Sequence, residues 1–83
     1  MQTNVSSYTQ ESLTREARQI ARADAARRRM QGSAHGHMRF KSWRLAVSDS
    51  TVAPVVLHAM YEIDAALCDG TFKSVPFYVS EVL

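Results

Sequence analysis

Arginine residues recur along one stretch of this sequence at a spacing that suits the binding of anions. Arg15, Arg18, Arg22 and Arg29 fall within about 60° of one another when successive residues are placed roughly 100° apart round a helix. A guanidinium group presents a planar fork of N–H donors that matches phosphate or carboxylate oxygens. We therefore predict a surface that contacts nucleic acid or a nucleoprotein complex, although a solvated helix face gives the same pattern. The candidate residues are Arg15, Arg18, Arg22, Arg27, Arg28, Arg29, Lys41 and Arg44.

The other residue types that carry chemistry do not form a recognisable site in the sequence. His35 and His37 make a His-x-His pair, but no third ligand follows at a zinc spacing. Cys68 has no base near it in the sequence, and we predict a small core residue there. Serine, histidine and aspartate occur without the nucleophile turn of a hydrolase or a glycine-rich phosphate loop. We expect no enzymatic activity, no cofactor and no metal site.

Charge is distributed unevenly between the two halves of the chain. Residues 1 to 44 hold nine basic and three acidic residues, a net charge of +6, whereas residues 45 to 83 hold one basic and five acidic residues, a net charge of -4. A basic first half suits an anionic partner. Head-to-tail self-association or a partner of mixed charge would fit the same division.

Length and composition place the chain among small soluble proteins. Its 83 residues allow one domain with a modest core, so a partner or a second copy would add stability. No apolar run approaches the roughly 18 residues of a membrane helix, and the N-terminus lacks the basic and apolar regions of a secretion signal. The single cysteine cannot form an internal disulfide. We expect a cytoplasmic protein that does not associate with membranes.

The first half predicts one basic helix. We expect a disordered tail over residues 1–8, a basic amphipathic helix over 9–31 that Thr9 caps, and a hinge loop over 32–37 that starts at a left-handed glycine. Asp24 interrupts the apolar side of this helix, so its last two turns are expected to stand in solvent. The run TREARQIARADAARRRM resembles the basic peptides of lambdoid antitermination proteins, and no function is carried over from that likeness.

The second half, residues 38–83, predicts a compact strand-helix-strand body. Residues 38–48 alternate as a strand does, with a change of parity that predicts either a bulge near Lys41-Ser42 or a strand with both faces partly covered. Val56, Met60, Ile63 and Leu67 recur at helical spacing and predict a helix over 52–68 that ends at Asp69-Gly70. Residues 71–83 predict a second strand, and Pro76 indicates that it lies at a sheet edge or has a bulge there. In an alternative interpretation, residues 52–58 form a strand before a shorter helix.

These elements predict an α+β fold in which a protruding basic helix precedes a small β-α-β body. Its two strands would run parallel through a right-handed crossover. Because two strands are too few for a stable sheet, we expect a homodimer to complete it; the alternative is an exposed edge that is kept for another protein. The expected function is that of a non-enzymatic regulatory protein that contacts nucleic acid. The alternative is a phage or mobile-element protein, such as an anti-CRISPR, that inhibits a host complex by protein-protein contact; it rests on small size and the lack of catalytic motifs.

Overall fold

One helix covers one face of a three-stranded antiparallel sheet. The structure is a computed structural model that describes residues 8–46 and 55–83. In these residues the helix α1 (Gln10–Met30) precedes the strands β1 (Ala34–Ala46), β2 (Val56–Ala66) and β3 (Phe72–Val82). The strands lie in the order β1-β2-β3, and both neighbouring pairs are antiparallel.

The predicted β-α-β body is wrong, because the segment expected to be its helix is the central strand of the sheet. Within Val56–Ala66, apolar residues occur on both faces of the strand, so the sequence also satisfies helical spacing. The segment forms a strand because a period of two places every second side chain of β2 against α1. Two antiparallel hairpin neighbours replace the predicted parallel pair and its crossover. The buried residues of β2 are Leu57, Ala59, Tyr61, Ile63 and Ala65.

The alternative interpretation of this segment fails as well. Residues 56–66 continue as one strand, with no shorter helix after residue 58. Residues 47–54, which include the start of the predicted helix and the end of the predicted first strand, lie outside the described residues. Residues 1–7 of the predicted tail also lie outside them.

Asp69-Gly70 forms the β2–β3 turn rather than a helix end. The Gly70 N–H donates to the carbonyl of Leu67 at 3.1 Å, and the Leu67 N–H donates to the carbonyl of Thr71 at 2.8 Å. Gly70 has a φ of 85°, which an L-residue adopts at a cost and glycine adopts freely. This is a tight hairpin turn followed by a glycine bulge. Cys68 lies exposed in the turn, so the prediction of a core cysteine is wrong.

The predicted ends of α1 are confirmed to within a residue. The Thr9 side chain accepts a hydrogen bond from the Ser12 N–H at 3.0 Å, and the Ser12 hydroxyl accepts one from the Thr9 N–H at 2.9 Å. This reciprocal capping box satisfies two donors that the helix start leaves free. At the other end Gly32 has a φ of 77°, and the Ser33 N–H donates to the carbonyl of Arg28 at 3.0 Å, which is a Schellman closure.

Two register shifts interrupt the pairing of β1 with β2, one between His35 and Arg39 and one between Phe40 and Ser42. The second shift confirms the predicted bulge near Lys41-Ser42. It turns the apolar residues on both sides of it toward α1 despite their odd spacing. Since β1 begins inside the predicted 32–37 loop, a short turn and not a hinge joins α1 to the sheet.

The helix packs on the sheet and does not protrude. Alanine side chains let its backbone approach β2 closely, and the core falls into two clusters along α1. One cluster joins Ala21 and Ala25 to Ala34, Tyr61 and Ile63. The other joins Ala17 to Leu57 and Ala59.

Strand β3 lies at the sheet edge, as Pro76 predicts. Pro76 pairs with Glu62 of β2, and its missing N–H is tolerated because no other strand of the described residues lies outside β3. Val75, Phe77 and Val79 are half-buried while Tyr78 is exposed, so one face of the strand packs toward the core and the other is open. No helix within residues 8–46 and 55–83 has the length and apolarity that crossing a membrane requires.

Candidate anion-binding surface

Four arginines lie together on the outer side of α1 and form what we call the arginine ridge: Arg15, Arg18, Arg22 and Arg29. All four are exposed, because the opposite side of the helix packs on the sheet. The guanidinium carbon of Arg18 lies 5.6 Å from the centre of the Phe40 ring, and Arg29 Nη1 donates to the carbonyl oxygen of Gly36 at 3.0 Å. Both contacts are with β1, so Arg18 and Arg29 lie on the β1 side of α1. Arg15 also borders a concavity shared with Glu16 and with Glu81 of β3.

No acidic side chain of the described residues forms an ion pair with the arginine ridge. The ion pairs of the described residues lie outside the ridge. Asp24 pairs with Arg27 and Arg28, and two further acids on β2 pair with cations on β1. The contact of Arg29 with a carbonyl oxygen orients its side chain but leaves its charge uncompensated. The ridge is therefore a row of four positive charges on one helix, none of them in an ion pair with an acid of the described residues. Arg15, Arg18 and Arg22 also border an open concavity of about 660 Å³, together with Glu11.

Arg28 differs from the ridge because it is part of the fold. Asp24 is only 6% exposed, and its carboxylate accepts hydrogen bonds from Arg27 Nη2 at 2.6 Å, from Arg28 Nε at 3.0 Å and from the Tyr61 hydroxyl at 2.5 Å. The guanidinium carbon of Arg28 lies 3.9 Å from the centre of the Phe77 ring, a cation–π distance. Arg28 thus fixes α1 to β2 and β3 and has little capacity left for a ligand.

The last turns of α1 are consequently not free in solvent, and that prediction is wrong. Asp24 and Ala25 are buried against the sheet, and Asp24 does not interrupt the packed side but anchors it. The sequence shows the Asp24–Arg28 pair through its i, i+4 spacing. It does not show Tyr61 as the third member, because Tyr61 reaches Asp24 only when residues 56–66 form a strand.

The network around Asp24 keeps that carboxyl ionised. Burial raises the pKa of Asp24, but the hydrogen bonds from Tyr61, Arg27 and Arg28 outweigh it and hold the pKa below its ordinary value of 3.8. Burial, together with the adjacent carboxylate, raises the pKa of Tyr61 to about 12. At neutral pH the phenol is therefore a donor to an ionised acceptor, and the positive charge of Arg28 is compensated locally.

The β1 candidates lie on the other face of the sheet from α1. The Lys41 ammonium is 3.4 Å from a carboxylate oxygen of Glu62, and Arg39 Nη2 is 3.8 Å from one of Asp64. Arg44 is exposed and has no acidic partner within the described part of the chain. The structure therefore brings four of the eight candidates together on the ridge, and it places Lys41 and Arg44 apart from them.

Trp43 is held beneath α1 and does not face outward from the sheet. Its Nε1 donates to the Thr14 hydroxyl at 2.8 Å, and its ring packs on the second core cluster. Trp43 is therefore part of the packing between α1 and the sheet.

The histidines occupy separate places. His35 lies 5.2 Å from Phe72, centre to centre, and His58 Nδ1 lies 2.7 Å from the Ser80 hydroxyl. Residues 8–46 and 55–83 contain no group of three histidine, cysteine or acidic side chains arranged to hold a metal ion. Comparison of the chain with protein-family models, with curated proteins and with solved structures found no match.

Proposed function

We propose that this chain is a non-enzymatic, cytoplasmic regulatory protein that binds nucleic acid or a nucleoprotein complex through the arginine ridge. One observation carries the proposal: four exposed guanidinium groups follow one side of a single helix, and no described acidic side chain compensates them. A row of uncompensated cations attracts a polyanion over several ångströms and binds its phosphates on contact.

The length of the ridge fits a nucleic-acid backbone. Arg15 and Arg29 are 14 positions apart, which corresponds to about 21 Å at roughly 1.5 Å per residue. Double-stranded DNA carries one negative charge per about 1.7 Å of its axis, so the ridge spans several phosphates. Because α1 is packed on the sheet along its length, the cations are held in line before a partner arrives, which lowers the entropy lost on binding.

A pair of matched variants tests this assignment. Arg18→Gln with Arg22→Gln removes two ridge charges, and Arg39→Gln with Lys41→Gln removes two charges that acids of β2 already compensate. Each pair lowers the net charge by two. At low salt we expect the ridge pair to weaken binding to a nucleic-acid duplex by roughly tenfold or more, irrespective of sequence.

The control pair should change that affinity by less than about threefold. Equal losses in the two pairs would show that overall charge, not the ridge, drives binding. Absence of any binding by the unmodified protein at low salt would reject the proposal.

The exposed apolar side chains of the sheet favour a second candidate, a phage or mobile-element inhibitor that acts on a host protein complex. Tyr78 is 71% exposed, Val82 63% and Phe72 49%, and such side chains are typical of protein-protein contacts. This candidate predicts a stoichiometric protein partner that is recovered from bacterial lysate after nuclease treatment. Recovery of no partner would count against it.

Neither candidate requires the expected homodimer. That expectation depended on a two-stranded sheet, and the sheet has three strands. Pro76 on β3 and the bulges and basic side chains of β1 also oppose strand pairing at the two edges. Light scattering of the isolated chain measures its oligomeric state directly.

A further inference from the structure

We call the face of the sheet that points away from α1 the open face. It carries a small cleft beside the part of β1 that follows the bulge at Lys41-Ser42. Ser42, Met60 and Tyr78 form one row across the three strands, and Arg44 pairs with His58 in the next row. These five residues border a cleft of about 110 Å³, which we call the sheet cleft.

The sheet cleft differs in charge from the rest of the open face. Toward the other end, Arg39 and Lys41 are paired with Asp64 and Glu62, so that part is close to neutral. Among the described residues, no acidic one borders the cleft, and none forms an ion pair with Arg44. The cleft thus joins an exposed aromatic ring to an uncompensated cation.

Its size and lining suit one planar aromatic group. The volume is several times the roughly 30 Å³ share of one water molecule but well below the roughly 300 Å³ of pockets that enclose whole small molecules. Tyr78, 71% exposed, offers a ring for stacking, and Met60 offers an adaptable apolar surface. Arg44 stands at the rim as a donor for a phosphate, and the Ser42 hydroxyl and the His58 ring supply polar atoms for a base edge.

We propose that the sheet cleft binds one unpaired nucleobase of a single-stranded nucleic acid, stacked on Tyr78 with Arg44 at the neighbouring phosphate. Bases inside a duplex are stacked on each other and cannot enter such a cleft, whereas bases of a single strand stack readily on aromatic side chains. This inference rests on the proposed function in needing a nucleic-acid ligand, but it concerns a different surface of the protein.

The position of the cleft connects it to the arginine ridge. Both lie beside β1, which is an edge strand: Arg44 projects from its open face, and Arg18 lies over Phe40 on its helix side. A backbone that leaves the cleft past Arg44 meets the ridge after crossing that edge. One flexible strand can therefore use both surfaces, and a rigid duplex can use the ridge alone.

The test compares a short oligouridine with a duplex of equal length by fluorescence anisotropy. Tyr78→Leu should weaken oligouridine binding by about tenfold and leave duplex binding within about twofold, since only the single strand loses a stacked base. Tyr78→Phe keeps the ring and should leave both affinities within about twofold. Arg44→Gln should lower the salt dependence of oligouridine binding by about 0.7 in the slope of log K against log salt.

The outcomes separate this inference from the proposed function. If Tyr78→Leu leaves oligouridine binding unchanged while Arg18→Gln with Arg22→Gln weakens it, the cleft assignment is overturned and the ridge assignment stands. If Tyr78→Leu weakens oligouridine binding and the ridge variant weakens the binding of neither ligand, the ridge assignment is overturned and the cleft assignment stands. Binding of neither ligand rejects both assignments.

One further result would overturn the cleft assignment. A concentration-dependent dimer in light scattering that Tyr78→Leu abolishes would show that a second copy of the chain covers the open face. We expect the scattering of the unmodified protein and of the Tyr78→Leu variant to be the same.

Discussion

Two sets of cationic side chains in this molecule differ in what surrounds them. The compensated set, Arg27, Arg28, Arg39 and Lys41, lies within 4 Å of acidic oxygens. The arginine ridge has no such partner among the described residues. Arg28 and Arg29 are adjacent in sequence, yet the first is held over Phe77 while the second points to the β1 side. Whether an arginine of α1 anchors the fold or is available to a ligand depends on its position relative to the packed side of the helix, and not on clustering in the sequence.

The comparison also separates stability from binding. Removal of Asp24 or of Arg28 should weaken the fold, because the Asp24 carboxylate is buried and loses or leaves behind a charged partner. The exposed pairs of Arg39 and Lys41 should contribute little to stability. Removal of a ridge cation should weaken binding and leave the fold unchanged, because the side chain is solvated in the free protein. The predictions below test this division from the largest expected effect to the smallest.

Asp24→Asn should have the largest effect on stability. The neutral amide cannot compensate Arg28, and the phenol of Tyr61 loses a charged acceptor, so we expect the free energy of unfolding to fall by about 3 kcal/mol. Urea denaturation measures this change. The control is Glu11→Gln, at an exposed acid of the same helix, for which we expect a change within about 0.5 kcal/mol. Similar losses of unfolding free energy in the two variants would contradict the anchoring role of Asp24.

Arg28→Gln and Arg29→Gln compare the two sets at neighbouring positions. Loss of the Arg28 hydrogen bond to Asp24 and of its contact with Phe77 should lower the free energy of unfolding by about 2 kcal/mol. Arg29→Gln should change it by less than about 0.5 kcal/mol and should weaken nucleic-acid binding instead. Thermal unfolding and anisotropy on the same two samples measure both effects. An equal loss of stability would contradict the division between the sets.

Glu81 of β3 is an acid whose neighbour is another acid, Glu16 of α1. The neighbouring carboxyl of Glu16, and then burial, raise the pKa of Glu81 from 4.5 to about 6. The folded state therefore holds this proton more tightly than the unfolded state. Its contribution to stability is complete below about pH 4.5 and is lost as the pH rises through about 6.

Glu81→Gln should accordingly raise the free energy of unfolding at pH 8 by about 1 kcal/mol, a modest figure because partial exposure screens the repulsion. It should also flatten the pH dependence between about 5 and 7. Denaturation curves at several pH values measure both changes. The lowered pKa of Asp24 acts in the opposite direction. Its contribution to stability is complete above the pKa of the unfolded state and is lost as the pH falls through the pKa of the folded state. A pH dependence of the Glu81→Gln variant identical to that of the unmodified protein would contradict this account.

The sequence predicts the elements whose signals are local and unambiguous. The Thr9 cap and Gly32 define α1, the change of parity predicts the β1 bulge, and Pro76 places β3 at an edge. These features depend on dihedral preferences and on missing donors, which neighbouring residues reveal.

The central strand is not predictable in the same way. Met60 and Ala66 put apolar side chains on the open face of β2, so the apolar pattern fits both a helix and a strand. The alanines of the segment also favour a helix by propensity. Tertiary pairing decides, because β1 and β3 need a strand between them. The Asp24 network depends on that outcome through Tyr61, and so does the sheet cleft, which takes residues from three strands. The ridge was predictable because it needs only one helix.

The salt dependence of nucleic-acid binding tests the central claim most directly. The slope of log K against log salt counts the phosphates that the protein neutralises, at about 0.9 per contact on duplex DNA. For a variant with Arg15, Arg18, Arg22 and Arg29 all replaced by glutamine, we predict a slope smaller in magnitude by about 3 to 4 than that of the unmodified protein. An unchanged slope would contradict the assignment of binding to the arginine ridge.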